Sequence, residues 1–163
     1  MRSREGICLI LSSATLALLL AACGGDLATR LCRADRFFCA DEAQWPEEAR
    51  HLSPIALYVL DEKYSRIVRE SDGSFVLDRE LASRGQAAVD AILVRTESER
   101  EVDTYLLVDV LDQVRWASKV DICQSSVRER AHTVLGRSAL QDLYGLAPDE
   151  RIKLFDALCS LQK

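Results

Sequence analysis

Ser98-Glu99-Arg100-Glu101-Val102-Asp103-Thr104-Tyr105-Leu106-Leu107-Val108-Asp109-Val110-Leu111-Asp112-Gln113-Val114 is the stretch whose reading decides the fold. The β-branched residues between Tyr105 and Val110 suit a strand, but the periodic segment is long. Val102, Leu106, Val110, Leu111 and Val114 recur at helical spacing. Ser98 followed three residues later by Glu101 has the form of a capping box, in which each side chain satisfies the other's backbone amide. The stretch therefore predicts a helix from Ser98 to about Ala117, and with it an all-α chain.

The segments on either side agree. Leu27, Leu31, Ala34 and Phe38 line one face of a helix expected from Asp26 to Cys39. Pro46 opens a short turn after Trp45. Ser53-Pro54 reads as an N-cap followed by a proline at the first helical position, ahead of the stripe Leu57, Leu60, Tyr64, Ile67 and Val68. Ser71-Asp72-Gly73 reads as a turn. A further helix is expected between Asp78 and Arg95, with Gly85 marking a close approach or a break. Ser126-Val127-Arg128-Glu129 and Ser138-Ala139-Leu140-Gln141 have the form of two more capping boxes, with Gly136 and Gly145 as stops. Pro148 opens the last helix, whose face is Ile152, Phe155, Leu158 and Leu161. Glycine is scarce for a turn-rich β fold. The expectation is a compact irregular helical bundle. Gly85 to Leu93 together with Tyr105 to Val114 resembles a HEAT-type helical pair over about one repeat, with no second copy at the usual period of about 40–47 residues.

The N-terminus has a different character. Arg2 and Arg4 precede an apolar run from Ile7 to Leu20, followed by Leu20-Ala21-Ala22-Cys23-Gly24-Gly25. A basic start, a short apolar core and small residues at the cut describe a secretory signal, and the core is shorter than the roughly 20 residues of a membrane span. Leu20-Ala21-Ala22-Cys23 resembles the bacterial lipobox. That resemblance implies a signal peptide over residues 1–22, a lipid-modified Cys23, a junction over residues 23–26 and one helical domain over residues 27–163. It implies anchoring to a membrane through the lipid on Cys23, because two or more acyl chains hold stably. Gly24 does not resemble an inner-membrane retention signal, so in a Gram-negative host the outer membrane is the expected address.

Without the leader about 140 residues remain, enough for one domain with a core. Removing Arg2, Arg4 and Glu5 takes the formal net charge from −5 to −6. That balance argues against nucleic acid, whose affinity comes largely from neutralising phosphates, and against a polybasic grip on anionic lipid.

Cys8 leaves with the leader, and Cys32, Cys39, Cys123 and Cys159 remain. An even number in an exported chain points to two disulfides. The competing readings are buried thiols and a metal site, and the six residues between the first two do not give the tight spacing of zinc ligands. In a continuous helix Cys32 and Cys39 lie about 10 Å apart along the axis, beyond the roughly 7 Å that a bridge allows between Cα atoms. The expectation is that they do not pair with each other, and that each reaches Cys123 or Cys159.

No nucleotide, hydrolase or metalloprotease motif occurs, and no cofactor is expected. His132, three residues after Glu129, is the candidate base, but without an adjacent nucleophile it reads as a surface or capping residue. Asp41-Glu42, Glu47-Glu48 and Asp149-Glu150 are the densest acidic pairs, and Asp149-Glu150 suits a helix start. Trp45, Trp116, Tyr58, Tyr64, Tyr105 and Tyr144 are either core packing, the preferred reading, or partner anchors. The expected function is non-catalytic: a membrane-anchored lipoprotein of the bacterial cell envelope that binds or scaffolds another envelope protein. The alternatives are an inhibitor or immunity lipoprotein against a toxin or lytic enzyme, and an envelope murein hydrolase. A binder should expose an aromatic patch; a hydrolase should show a cleft with converging carboxylates.

Overall fold

A computed structural model describes residues 26–68 and 75–160. The leader, Cys23, the Ser71-Asp72-Gly73 turn and Leu161 lie outside the described residues. Within them the chain forms eight α-helices and one two-residue parallel strand pair, so the all-α expectation holds.

Asp26 opens α1 (Leu27–Ala34) by accepting a hydrogen bond from the Thr29 N–H at 2.8 Å. The helix expected to reach Cys39 ends at Ala34, because Asp35 is extended (φ −156°, ψ 144°). The Asp35 carboxylate then caps a separate 3-10 turn, Arg36–Cys39, through the Phe37 N–H at 3.0 Å. The change of direction folds Cys39 back on Cys32. Their Cα atoms are 4.4 Å apart and the two are bridged, which overturns the expectation that they would not pair. The second bridge joins Cys123 to Cys159, so neither N-terminal cysteine reaches the C-terminal half.

A second 3-10 turn, Glu42–Gln44, leads into α2 (Trp45–Arg50), with Pro46 in its first turn. Phe37, Phe38, Trp45 and Tyr64 gather there, with ring centroids 5.3–6.3 Å apart and largely edge-to-face. Such contacts add about 0.5–1.5 kcal/mol each beyond area burial. The Trp45 indole N–H donates to the Ala40 carbonyl at 3.2 Å, so its one polar group is satisfied on burial.

Helix α3 (Pro54–Val68) starts as expected, with the Ser53 hydroxyl accepting from the Ala56 N–H. The helix expected from Asp78 to Arg95 is two: α4 (Phe75–Ser83) and α5 (Gln86–Ser98). Gly85 makes the break at φ +57°, in the left-handed region, and a Cβ there would sit 3.4 Å from the Ser118 Cβ. Ser118 Oγ donates to the Ala82 carbonyl and ties the corner.

The three capping boxes are not formed. Ser98 is the last residue of α5, and its hydroxyl donates back to Arg95 O. The chain next forms β1 (Glu101–Val102), and α6 (Thr104–Ser118) is capped by Asp103. Helix α7 (Ser125–Leu135) takes Gln124 as its N-cap with no side-chain bond, and Ser126 lies inside it. Gly136 does end α7, in a right-handed conformation. Residues 138–141 make a turn and then β2 (Gln141–Asp142), parallel to β1. Gly145 (φ +77°) belongs to the turn after β2. Pro148 opens α8 (Pro148–Ser160), as expected.

Helix α4 packs between α3 and α6 and also meets α2; α1 lies on α3; α8 spans α6 and α7. Helix α6 packs more on α4 than on α5, so the pair expected on HEAT-like grounds is not the principal contact. Leu57, Leu77, Leu81, Ile92, Leu107, Leu111, Ile122, Leu135 and Phe155 form the fully buried aliphatic and aromatic centre. Burying such a side chain stabilises the fold by about 1.5–3 kcal/mol before entropy is counted.

Candidate functional site

The six aromatic candidates separate cleanly. Trp45 and Tyr58 are core, and Tyr64 packs on the core's edge. Trp116, Tyr144 and Tyr105 are exposed, at 65%, 64% and 50%. These three lie along one helix face and the loop beside it.

That arrangement begins at Asp142. One carboxylate oxygen accepts from the Thr104 N–H at 3.3 Å and the Thr104 hydroxyl at 2.5 Å, reinforcing the Asp103 cap at the start of α6. The other accepts from the N–H groups of Tyr144 and Leu146, at 2.8 and 3.3 Å. One side chain thus fixes both the first turn of α6 and the loop after β2. The result places the Tyr144 ring 5.2 Å from the Tyr105 ring, edge to face at 79°. Leu143 is exposed beside them, and a groove of about 490 Å³ runs between Leu143 and Tyr144 on one side and Ser65, Arg66 and Asp103 on the other.

Tyr105, Asp109, Asp112 and Trp116 follow helical spacing along α6, so they share a face about 16 Å long. Arg115 and Lys119 stand over the Trp116 ring, 5.3 and 5.8 Å from its centroid. Arg115 also pairs with Asp112 at 2.5 Å and donates to the Leu158 carbonyl, which keeps the Trp116 end of the helix anchored to α8. A second groove, of about 460 Å³, runs from Trp116 and Ala117 to Arg79 and Ala82 on α4. The strip therefore has an aromatic end at each groove and two carboxylates between.

The acid–base candidates are accounted for locally. His132 Nε2 is 2.8 Å from Asp156 Oδ1, which Arg128 also holds at 2.8–3.0 Å; the group fastens α7 to α8. Asp41 caps the Ala43 N–H, Glu47 pairs with Arg50, and Glu150 accepts from the Ala147 N–H. Asp149 sits below its usual range because Lys153 hydrogen-bonds it.

Sequence reasoning missed the carboxyls that do converge. Asp61 and Asp78 lie within hydrogen-bond reach of each other between α3 and α4, and both are buried, Asp61 completely. Neither lines the two grooves described above. Among the described residues no three His, Cys, Asp or Glu side chains are placed to hold a metal ion, and no helix is long and apolar enough to cross a membrane. Comparison with protein-family models, curated proteins and solved structures gave no match.

Proposed function

We propose that this chain is a lipid-anchored protein of the bacterial cell envelope whose helical domain binds another envelope protein through the exposed face of α6. The exposed strip carries the binding half of this reading: Tyr105 stacked on Tyr144 at one end, Trp116 at the other, on a backbone pinned by Asp142 and Arg115. Rigidly held exposed aromatics are the residue types that dominate binding hot spots. The lipobox Leu20-Ala21-Ala22-Cys23 supports the anchor.

Asp109 and Asp112 between the aromatics, and the acidic balance of the chain, suit a partner with basic groups. That chemistry favours the narrower form of the same reading, in which the strip covers a basic active site of a toxin or lytic enzyme.

Two experiments test the two halves. Cys23→Ser should release the protein from membranes, and a variant that still sediments with them after leader cleavage overturns the anchor. For the face, crosslinking from an α6 position in intact envelopes should trap one dominant partner. The product should vanish in the Tyr105→Ala/Trp116→Ala variant, and a product of unchanged yield overturns the assignment.

A further inference from the structure

Asp61 lies in the middle of α3, and both its oxygens are out of contact with water and, among the described residues, with every N–H or O–H donor. An ionised carboxylate in that state is among the costliest groups a fold can hold. Its neighbour in hydrogen-bond reach is another carboxyl, Asp78 of α4. Asp78 Oδ1 also lacks a donor, while Oδ2 accepts from the Gln113 amide of α6 at 3.5 Å. Two buried carboxylates in contact cannot both be ionised, whereas a protonated carboxyl supplies the missing donor.

We propose that Asp61 and Asp78 share one proton and act as an acid-engaged clamp between α3 and α4. The Asp61 O–H donates to the Asp78 carboxylate. When base removes that proton to solvent, two carboxylates face each other in the core and the α3–α4 contact loosens.

The surroundings reinforce this assignment. On α3 itself, Glu62 and the fully buried Tyr58 flank Asp61; on α6, Asp109 adds negative charge; on α5, Arg95 is directed to Glu62 at 3.8 Å and Glu99. From the N-terminal segment Lys63 is held by Asp35 at 2.6 Å. No cation is directed at Asp61 among the described residues. Burial, then the Asp78 charge, pushes the Asp61 carboxyl well above its ordinary range. Burial also raises Asp78, against the bonds it receives from Asp61 and Gln113. Gln113 also donates to Asp109 on the exposed face of α6 at 3.0 Å, so the clamp underlies the aromatic strip, although the inference does not depend on the docking role.

The sign of the pH effect follows. Between the ordinary aspartate range near 3.9 and the raised native value, the folded chain holds a proton that the unfolded chain has released, so stability falls as pH rises. The unfolding constant should increase up to tenfold per pH unit there. The carboxyls held below their ordinary values, Asp26, Asp35, Glu97 and Asp149, act with the opposite sign and at lower pH.

The test uses the full chain in mild detergent, its disulfides intact. Urea unfolding from pH 5 to 8 should show this fall for the natural protein. Asp61→Asn, whose amide donates permanently to Asp78, should be flatter with pH and more stable at pH 8. Asp78→Asn should flatten the profile too, which keeps the test alive if one variant fails to fold. Infrared difference spectra at pH 6 should show a protonated carboxyl band in the natural protein that is missing from the variants. Equal pH slopes in natural and variant proteins, or no such band, overturn the proposal.

Discussion

Arg151 on α8 and Asp61 on α3 are both charged side chains taken out of water, at 2% and 0% exposure, and the fold treats them in opposite ways. Arg151 meets four carbonyls. Nε reaches Leu135 O at 2.8 Å, Nη1 reaches Leu140 and Leu146 at 2.9 and 3.1 Å, and Nη2 reaches Arg137 at 2.8 Å. It gathers the end of α7 and the loop that carries β2 and Tyr144, using the planar fork that only arginine offers. Asp61 meets no donor and is left with another acid. A buried cation whose donors are matched by acceptors behaves as a fixed part of the scaffold. A buried acid without donors must hold a proton, and its corner answers to pH.

The largest expected effect comes from breaking the matched corner. Arg151→Met leaves four carbonyls short of a donor, at about 1–3 kcal/mol for each that stays dry, and the whole substitution should cost about 3–5 kcal/mol in urea unfolding. The loss should be nearly independent of pH. A loss that changes strongly between pH 5 and 8 would erase the contrast with Asp61.

Next come the bridges. Cys123–Cys159 closes a loop of 36 residues and ties the far end of the Arg151 helix, so removing both cysteines should cost about 4 kcal/mol; removing Cys32 and Cys39, 7 apart, should cost about 2 kcal/mol. Denaturation midpoints of the two double variants rank them, and the reverse order would show that loop length does not govern here.

Asp61→Asn should alter stability by about 1.4 kcal/mol for each pH unit over which the natural protein still holds its proton. Smallest of all, Trp116→Ala lies outside both corners. It should shift stability by no more than about 0.5 kcal/mol, while weakening partner binding by about 2 kcal/mol, measured by titration calorimetry once the partner is in hand.

Periodicity made the helical class legible, and Ser53-Pro54 and Pro148 marked two helix starts correctly. Two of the three capping signatures failed for a shared reason, and the third because its helix already starts at Ser125, with Ser126 inside it. Ser98 to Glu101 and Ser138 to Gln141 lead into the two segments that pair with each other as β1 and β2, and Asp142 then caps α6 from 38 residues away. A local pattern cannot see a partner that far along the chain. The Cys32–Cys39 link was hidden by the assumption of a continuous helix, although Asp35 ahead of Arg36-Phe37-Phe38 carries the N-cap chemistry that marks the break. Tyr105 and Trp116 were visible as candidates, but their exposure was not, because α6 is apolar enough on its other side to pass for core on all. Asp61 and Asp78 gave no sign, since one-letter spacing does not record that α3 and α4 press two acids together.

The two tryptophans of the chain occupy contrasting surroundings: Trp45 is dry and ringed by Phe37, Phe38 and Tyr64, and Trp116 stands in water beside Arg115 and Lys119. Under one excitation the first indole should therefore supply the blue-shifted component of the emission and the second the red-shifted one. Melting of the N-terminal aromatic nest reddens the blue component. Covering of the α6 face shifts the red component to the blue. Folding and docking can thus be followed separately in the natural protein without a label.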